Sequence, residues 1–143
     1  MMVSTKGRYA LRVMIDLAQH GTEGPLLLMD IATRQQISEK YLEGIMAVLS
    51  RHGFVSAQRG RGGGYRLTRS PDQYTVGSIL TLIEGPMAPV SCLEHPVNTC
   101  PRVEQCLTLP MWTKLNQLIS EYLESVTLAD LLAQSDGSDH YVI

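Results

Sequence analysis

Apolar residues recur through the first twenty positions with the period of a helix. Ala10, Met14, Leu17 and Ala18 fall at i, i+4, i+7 and i+8, one helical face, and Ser4 stands where an N-cap belongs. This predicts a first helix from Ser4 to His20, a loop from Gly21 to Pro25 and a short apolar stretch, Leu26–Leu28. A short second helix is expected from Asp30 to Gln36, with Ile31 and Ala32 inward. Ile37-Ser38 breaks the pattern. Ser38 can cap a third helix, Glu39–His52, in which Leu42, Ile45, Met46 and Leu49 keep the 3.6-residue period. Gly53 stops it with the left-handed conformation common at helix C-termini.

After Gly53 the period changes. Phe54–Gln58 and Tyr65–Thr68 read as two strands, with Arg59-Gly60-Arg61-Gly62-Gly63-Gly64 as the hairpin tip between them. Short helix, turn, capped helix and hairpin, in that order, are the parts of a winged helix-turn-helix. Pro71 closes this unit, and Thr75 caps a further helix, Val76–Glu84. Gly85–Pro89 then opens a loop holding Cys92, Cys100 and Cys106. A long helix is expected from Pro110 to Ser125, with proline tolerated in its first turn. Its stripe is Met111, Leu115, Leu118, Ile119, Tyr122, Leu123 and Val126, and Thr127 with Asp130 can form a last capped turn. The expected fold is mainly α with a small β-hairpin wing. Residues 1–70 form the winged helix-turn-helix, 71–134 the cysteine loop and long C-terminal dimerisation helix, and 135–143 a flexible tail.

Composition narrows the class. With 143 residues, 44% apolar and 18% charged, the chain can bury a core and does not read as disordered. No apolar run approaches the ~20 residues of a membrane span. The N-terminus lacks the layout of a signal peptide, so a cytoplasmic protein with reduced thiols is expected. Three cysteines cannot all pair within one chain and read first as ligands or sensors. Charge divides the sequence. Residues 1–70 hold ten Lys/Arg against five Asp/Glu, while residues 71–143 hold two against nine. A basic half beside an acidic half suggests one polyanion-binding surface and one surface with another task.

The hairpin tip is the sharpest local signal. Arg59 and Arg61 can enter a minor groove, whose narrow A·T stretches concentrate negative potential. The glycines let backbone approach the sugar-phosphate wall. A nucleotide-binding loop would need Gly-Lys-Ser/Thr or glycines opening into a helix, and here they run into Tyr65-Arg66-Leu67-Thr68. In the helix after Ser38, the polar or small positions Ser38, Glu39, Lys40, Glu43 and Gly44 suit contact with base edges. Glu43 can accept from cytosine N4, and Lys40 can reach phosphate or guanine. Taken alone this is the solvated face of an amphipathic helix; the basic wing after it favours DNA. The candidate DNA-binding set is Ser38, Lys40, Tyr41, Glu43, Gly44, Arg59, Gly60 and Arg61. Two copies joined through the long helix would read a palindrome with half-sites ~34 Å apart, or a multiple of that.

Cys92-x7-Cys100-x5-Cys106 lies in a segment rich in Pro, Ser, Asn and Thr. Soft thiolates suit iron–sulfur clusters, zinc or copper(I). A cluster ordinarily takes four protein ligands, and His95, Glu94 and Glu104 are the local candidates for a fourth. The spacing matches no common zinc finger, and a reversible thiol switch stays open. No nucleophile–base constellation stands out, and His20, His52, His95 and His140 are scattered, so an enzyme is not expected. A small iron–sulfur electron carrier or cluster-delivery protein would leave the basic half unexplained.

Several motifs together resemble the iron–sulfur cluster regulator (IscR) family. They are Ser4-Thr5-Lys6-Gly7-Arg8-Tyr9-Ala10, Ile37-Ser38-Glu39-Lys40-Tyr41-Leu42-Glu43, Arg59–Tyr65, the three-cysteine loop, Leu107-Thr108 with Trp112, and Val126–Leu131. The resemblance covers roughly residues 2–132 and implies a homodimeric bacterial regulator binding a double-stranded DNA operator. It implies that Glu43 reads a base, that Arg59-Gly60 touch the minor groove, and that Cys92, Cys100 and Cys106 hold a two-iron two-sulfur cluster. Lys40 and Gly44 occupy two other base-reading positions with different residues, and the first cysteine gap is longer than usual. Leu109 stands where such proteins place a histidine ligand, and leucine cannot bind iron. The related alternative is a cluster-free regulator of cysteine metabolism, controlled by its thiols or by a cysteine-biosynthesis or cluster-assembly enzyme as partner.

Overall fold

A computed structural model describes residues 3–134. The helices are α1 Thr5–His20, α2 Leu28–Gln35, α3 Glu39–Arg51, α4 Val76–Glu84, α5 Leu109–Ser125 and α6 Leu128–Ala133. Strands β1 Val55–Gln58 and β2 Gly64–Leu67 form one antiparallel hairpin in the register Val55↔Leu67 to Gln58↔Gly64. Short 3-10 turns occupy Pro71–Gln73, Ser91–Leu93 and Val103–Gln105. The expected tail, 135–143, lies outside the described residues. Among the described residues no helix is long and apolar enough to cross a membrane.

The caps form where the sequence places them, because each bond spans only three residues. Ser4, Ser38, Thr75 and Thr127 accept from Gly7, Tyr41, Ser78 and Asp130, satisfying N–H groups that a helix start leaves unpaired. At Thr127 the bond is reciprocal, since Asp130 accepts from the Thr127 N–H in a capping box. Helix α2 departs from expectation by starting at Leu28 rather than Asp30 and ending at Gln35. Leu26 exchanges two 2.8 Å backbone bonds with Tyr65, adding a third, one-residue rung to the hairpin. The chain leaves that rung extended through Leu27, whose carbonyl then accepts from Asp30 and Ile31. Gln36 turns the chain into α3 with a left-handed φ of 55°, unique among the described non-glycine residues.

One core joins the elements. Ala10, Met14 and Leu17 of α1, Ile31 of α2, Leu42, Ile45, Met46 and Leu49 of α3, and Val55 of β1 are buried together. Tyr74, Ile79 of α4 and Leu128 of α6 belong to the same cluster. Ala18, expected on the buried face, is only half-buried. The chain comes back to this core after α5: Val76 donates to Val126 at 2.8 Å and Leu128 donates to Tyr74 at 3.0 Å. By contrast, none of the 17 residues of α5 is buried. Met111, Leu115, Leu118 and Tyr122 expose an apolar stripe along it.

A fully buried carboxylate pins α1 to α2. Asp16, 0% exposed, accepts from Arg34 Nε and Nη2 at 2.8–3.2 Å and from Gln35 Nε2 at 2.9 Å. The Asp16 hydrogen bonds raise the proton affinity of the Arg34 guanidinium, against a smaller opposing cost of burial. Arg34 keeps a third of its side chain in solvent, so it can rehydrate if its partner is removed. Asp16→Ala is therefore expected to destabilise the fold by about 2–4 kcal/mol in urea unfolding, the low side of a broken buried pair. A loss under about 1 kcal/mol would remove this pair from the fold's main supports.

Candidate nucleic-acid interface and cysteine loop

The helix expected to read bases presents the expected face. Ser38, Glu39, Lys40, Tyr41, Glu43 and Gly44 are exposed, while Leu42, Ile45, Met46 and Leu49 on the opposite side are buried. The Ser38 hydroxyl accepts from Tyr41 N at 3.1 Å, and Glu39 adds negative charge at the positive end of the helix. Tyr41 also has a structural task. Its ring meets Tyr9 edge-on at 5.5 Å, and Arg12 lies over Tyr9 at 5.1 Å while donating to Gln35. The first turn of α3 is thus braced against α1 and the end of α2. Gly44 has no such reason to be glycine, since a Cβ there would meet nothing within 4 Å.

The hairpin follows α3 directly, with Phe54 N donating to Leu49 O at 2.8 Å. Arg59, Gly60 and Arg61 are all exposed at its tip. Neither arginine has an ion-pair or hydrogen-bond partner among the described residues. The tip's glycines have a structural origin as well. Gly60 turns with φ +91°, and a Cβ on Gly63 would sit 2.1 Å from Gln58 O. A tight tip therefore projects two unneutralised guanidinium groups from a narrow backbone. Such groups complement phosphate and groove potential.

At its base the hairpin is gathered by a residue that sequence reading passed over. Tyr74 is fully buried, and its hydroxyl donates to Phe54 O at 2.7 Å. It accepts from Thr68 N and Arg69 N at 3.0 and 3.1 Å. Arg69 lies over the rings of both Phe54 and Tyr74. The signal available in the sequence was only an aromatic residue before a helix cap.

The cysteine loop contrasts with this order. Cys92 lies in the turn Ser91–Leu93, Cys100 stands two residues after Asn98, whose side chain accepts from Cys100 N at 2.9 Å, and Cys106 ends the turn Val103–Gln105, three residues before α5. All three are half-buried thiols. Among the described residues, no three His, Cys, Asp or Glu side chains come together closely enough to hold a metal ion. Glu94, His95 and Glu104, the sequence's candidates for a fourth ligand, are exposed, and Leu109 opens α5 as a half-buried apolar residue. The sulfur chemistry suits a soft metal, but with no three ligating side chains gathered among the described residues, and leucine where the resemblance places a histidine, this arrangement does not fit a four-ligand cluster. The Thr108 hydroxyl, 3.4 Å from Cys106 Sγ, leads the hydrogen bonds that hold this thiol below the usual cysteine value, with Arg102 adding a weaker pull.

Residues 3–134 match the Rrf2 family, described as an iron-dependent transcriptional regulator. The transcriptional regulator IscR of Aliivibrio salmonicida is 38% identical over 95% of this chain and 80% of its own length. The structure of IscR from T. potens superposes with a TM-score of 0.77 at 38% identity, covering 99% of this chain and 94% of the other. CymR, the global cysteine regulator of Bacillus subtilis, superposes with a TM-score of 0.77 at 36% identity, covering 94% and 98%. The winged-helix fold is thereby shared, and the relatives are regulators, not enzymes. With its helices, hairpin and nearly full-length likeness to these proteins, the chain belongs to the Rrf2 family of DNA-binding transcription regulators.

Proposed function

We propose that the chain reads a double-stranded DNA operator with α3 and the hairpin, and that its three-cysteine loop senses iron–sulfur or redox status. The observation that carries the DNA surface is the pair of unneutralised, exposed arginines on a tip directly after a capped helix with a polar outer face. Lys40 and Glu43 suit the major groove, Ser38 and Tyr41 set the helix start against the backbone, and Arg59-Gly60-Arg61 suits the adjoining minor groove. Gly44 leaves room on the reading face that packing does not demand. The exposed stripe Met111, Leu115, Leu118 and Tyr122 supports a homodimer through α5, which would pair two readers on a palindrome. A cytoplasmic location accords with a regulator of DNA.

For the sensor, Cys92, Cys100 and Cys106 are the residues that would hold a two-iron two-sulfur cluster, whose presence would couple the cell's iron–sulfur supply to operator affinity. That requires the loop to close and a fourth ligand to replace Leu109. The lack of a gathered ligand set among the described residues and the likeness to a global cysteine regulator favour a second reading, control by thiol oxidation or by a cysteine-biosynthesis or cluster-assembly enzyme without a cluster.

In gel-shift titrations Arg59→Ala is expected to weaken operator binding and Glu43→Ala to relax base preference; unchanged binding by both would displace the DNA surface from α3 and the hairpin. Gly44→Ala is expected to stabilise the fold by about 0.5–1 kcal/mol, as alanine does in a helix interior, while weakening operator binding. A stabilised variant with full affinity would mean that this part of α3 faces solvent, not bases.

Iron, sulfide and visible absorption measured on protein purified without oxygen separate the two sensor readings. Iron and sulfide are expected at well under two per chain in the unmodified protein and to rise in Leu109→His, which restores an imidazole beside Cys106. Equal retention in both would show that the leucine is not what limits the site.

A further inference from the structure

We infer that Tyr74 is a positioning residue for DNA recognition: it fixes the hairpin's orientation from the C-terminal half of the chain. A hydroxyl offers one donor and two acceptor sites. In Tyr74 all three are used by backbone groups at the two legs of the hairpin: Phe54 O before β1, and Thr68 N and Arg69 N after β2. Thr68 Oγ1 closes the junction by donating to Gly53 O at 2.7 Å and lying 3.1 Å from the Tyr74 hydroxyl. A residue needed only to fill this part of the core could be phenylalanine, with no polar atom to bury. Here the polar atom lies where the two legs meet.

The other side of Tyr74 is bound to a different part of the chain. Its carbonyl accepts from Leu128 N, the neighbouring Thr75 pairs with Thr127, and Thr75 Oγ1 donates to Glu124 Oε2 at 3.0 Å. Residues 74–76 are therefore clamped to the end of α5 and the start of α6 by backbone bonds. The side chain of the same segment holds the hairpin base. On the far edge the hairpin is held by the Leu26–Tyr65 rung, which leaves rotation about that edge to be set at the base. Helix α3 makes none of these bonds to Tyr74 and meets the hairpin base through Phe54 N to Leu49 O, a bond that does not use the Tyr74 hydroxyl, so losing that hydroxyl frees the hairpin legs while α3 stays capped and packed.

This role rests on the hairpin being the minor-groove contact. The test uses the full chain and a duplex selected by that chain from a random-sequence pool. Affinity is measured for that duplex, for one with G·C pairs in the flank covered by the hairpin, and for one with inosine·cytosine pairs there. Inosine·cytosine lacks the guanine amino group and so presents the minor groove of an A·T pair. A fourth duplex carries changed bases in the segment under α3. Tyr74→Phe, which keeps the ring, is expected to cut discrimination between A·T and G·C flanks about tenfold, within the range of a lost groove contact, and to leave inosine·cytosine no better than G·C. Its discrimination against the changed bases under α3 is expected to stay within about twofold of the parent.

A merely structural defect would lower all four affinities together and leave their ratios unchanged, which would overturn the positioning role. So would intact flank discrimination in Tyr74→Phe when Arg59→Ala has lost it. If flank discrimination survives in both variants, the minor-groove reading of the hairpin fails and this role fails with it. Thermal unfolding with circular dichroism identifies a variant that has not folded. In that event Thr68→Val, which removes the Oγ1 bonds to Gly53 O and Phe54 O and the contact with the Tyr74 hydroxyl, is read in the same four-duplex assay. A ratio pattern unchanged from the parent there would overturn the role.

Discussion

A buried tyrosine hydroxyl is the constraint on which the arrangement of this molecule turns. In a mostly apolar core, each buried polar atom must find its partners or cost about 1–3 kcal/mol. Tyr74 satisfies its own atom by collecting three backbone groups that two short strands leave unpaired at their base. The hairpin has only four residues on each leg and could not stand alone in water. It becomes an ordered projection because its base is tied to Tyr74, its edge to Leu26, and its inner face to the helical core.

The same economy links the outer face of α3 to the rest of the chain. Asp16, Arg34 and Gln35 lock α1 to α2, and Tyr9 with Arg12 braces Tyr41 at the start of α3. Beyond the cap Ser38 and the first-turn residues Glu39 and Tyr41, the exposed residues Lys40, Glu43 and Gly44 carry no structural duty. Their identities are not set by packing, while the residues behind them follow the core. At the other end of the molecule the priorities reverse. No residue of α5 is fully buried, although Trp112, Ile119 and Leu123 are half-buried, and the loop before it orders its cysteines through local turns.

Much of this was legible in the sequence where the governing interaction is local. Ser4, Ser38, Thr75 and Thr127 announce helix starts because each cap spans three residues, and the apolar period of α3 reports one buried face. The run Arg59–Gly64 marks a tip because only glycine tolerates its turns. The start of α2 was misplaced by two residues because its position depends on Leu26 pairing with Tyr65, 39 positions away. Asp16 gave no sign of burial, since a carboxylate goes inside only when its partners on another helix are already in place.

The sequence by itself determined the order of helices, the polar face of α3, the two arginines at the tip and the presence of three thiols on one loop. Periodicity, caps and residue chemistry are properties of neighbours. The tertiary structure alone joins the hairpin to the end of α5 through Tyr74, returns Leu128 to the first helices' core, and leaves no three ligating side chains gathered among the described residues. Those outcomes depend on where distant backbone groups and side-chain tips meet in space. In the segment from Pro86 to Cys106 there is no period from which to read that geometry.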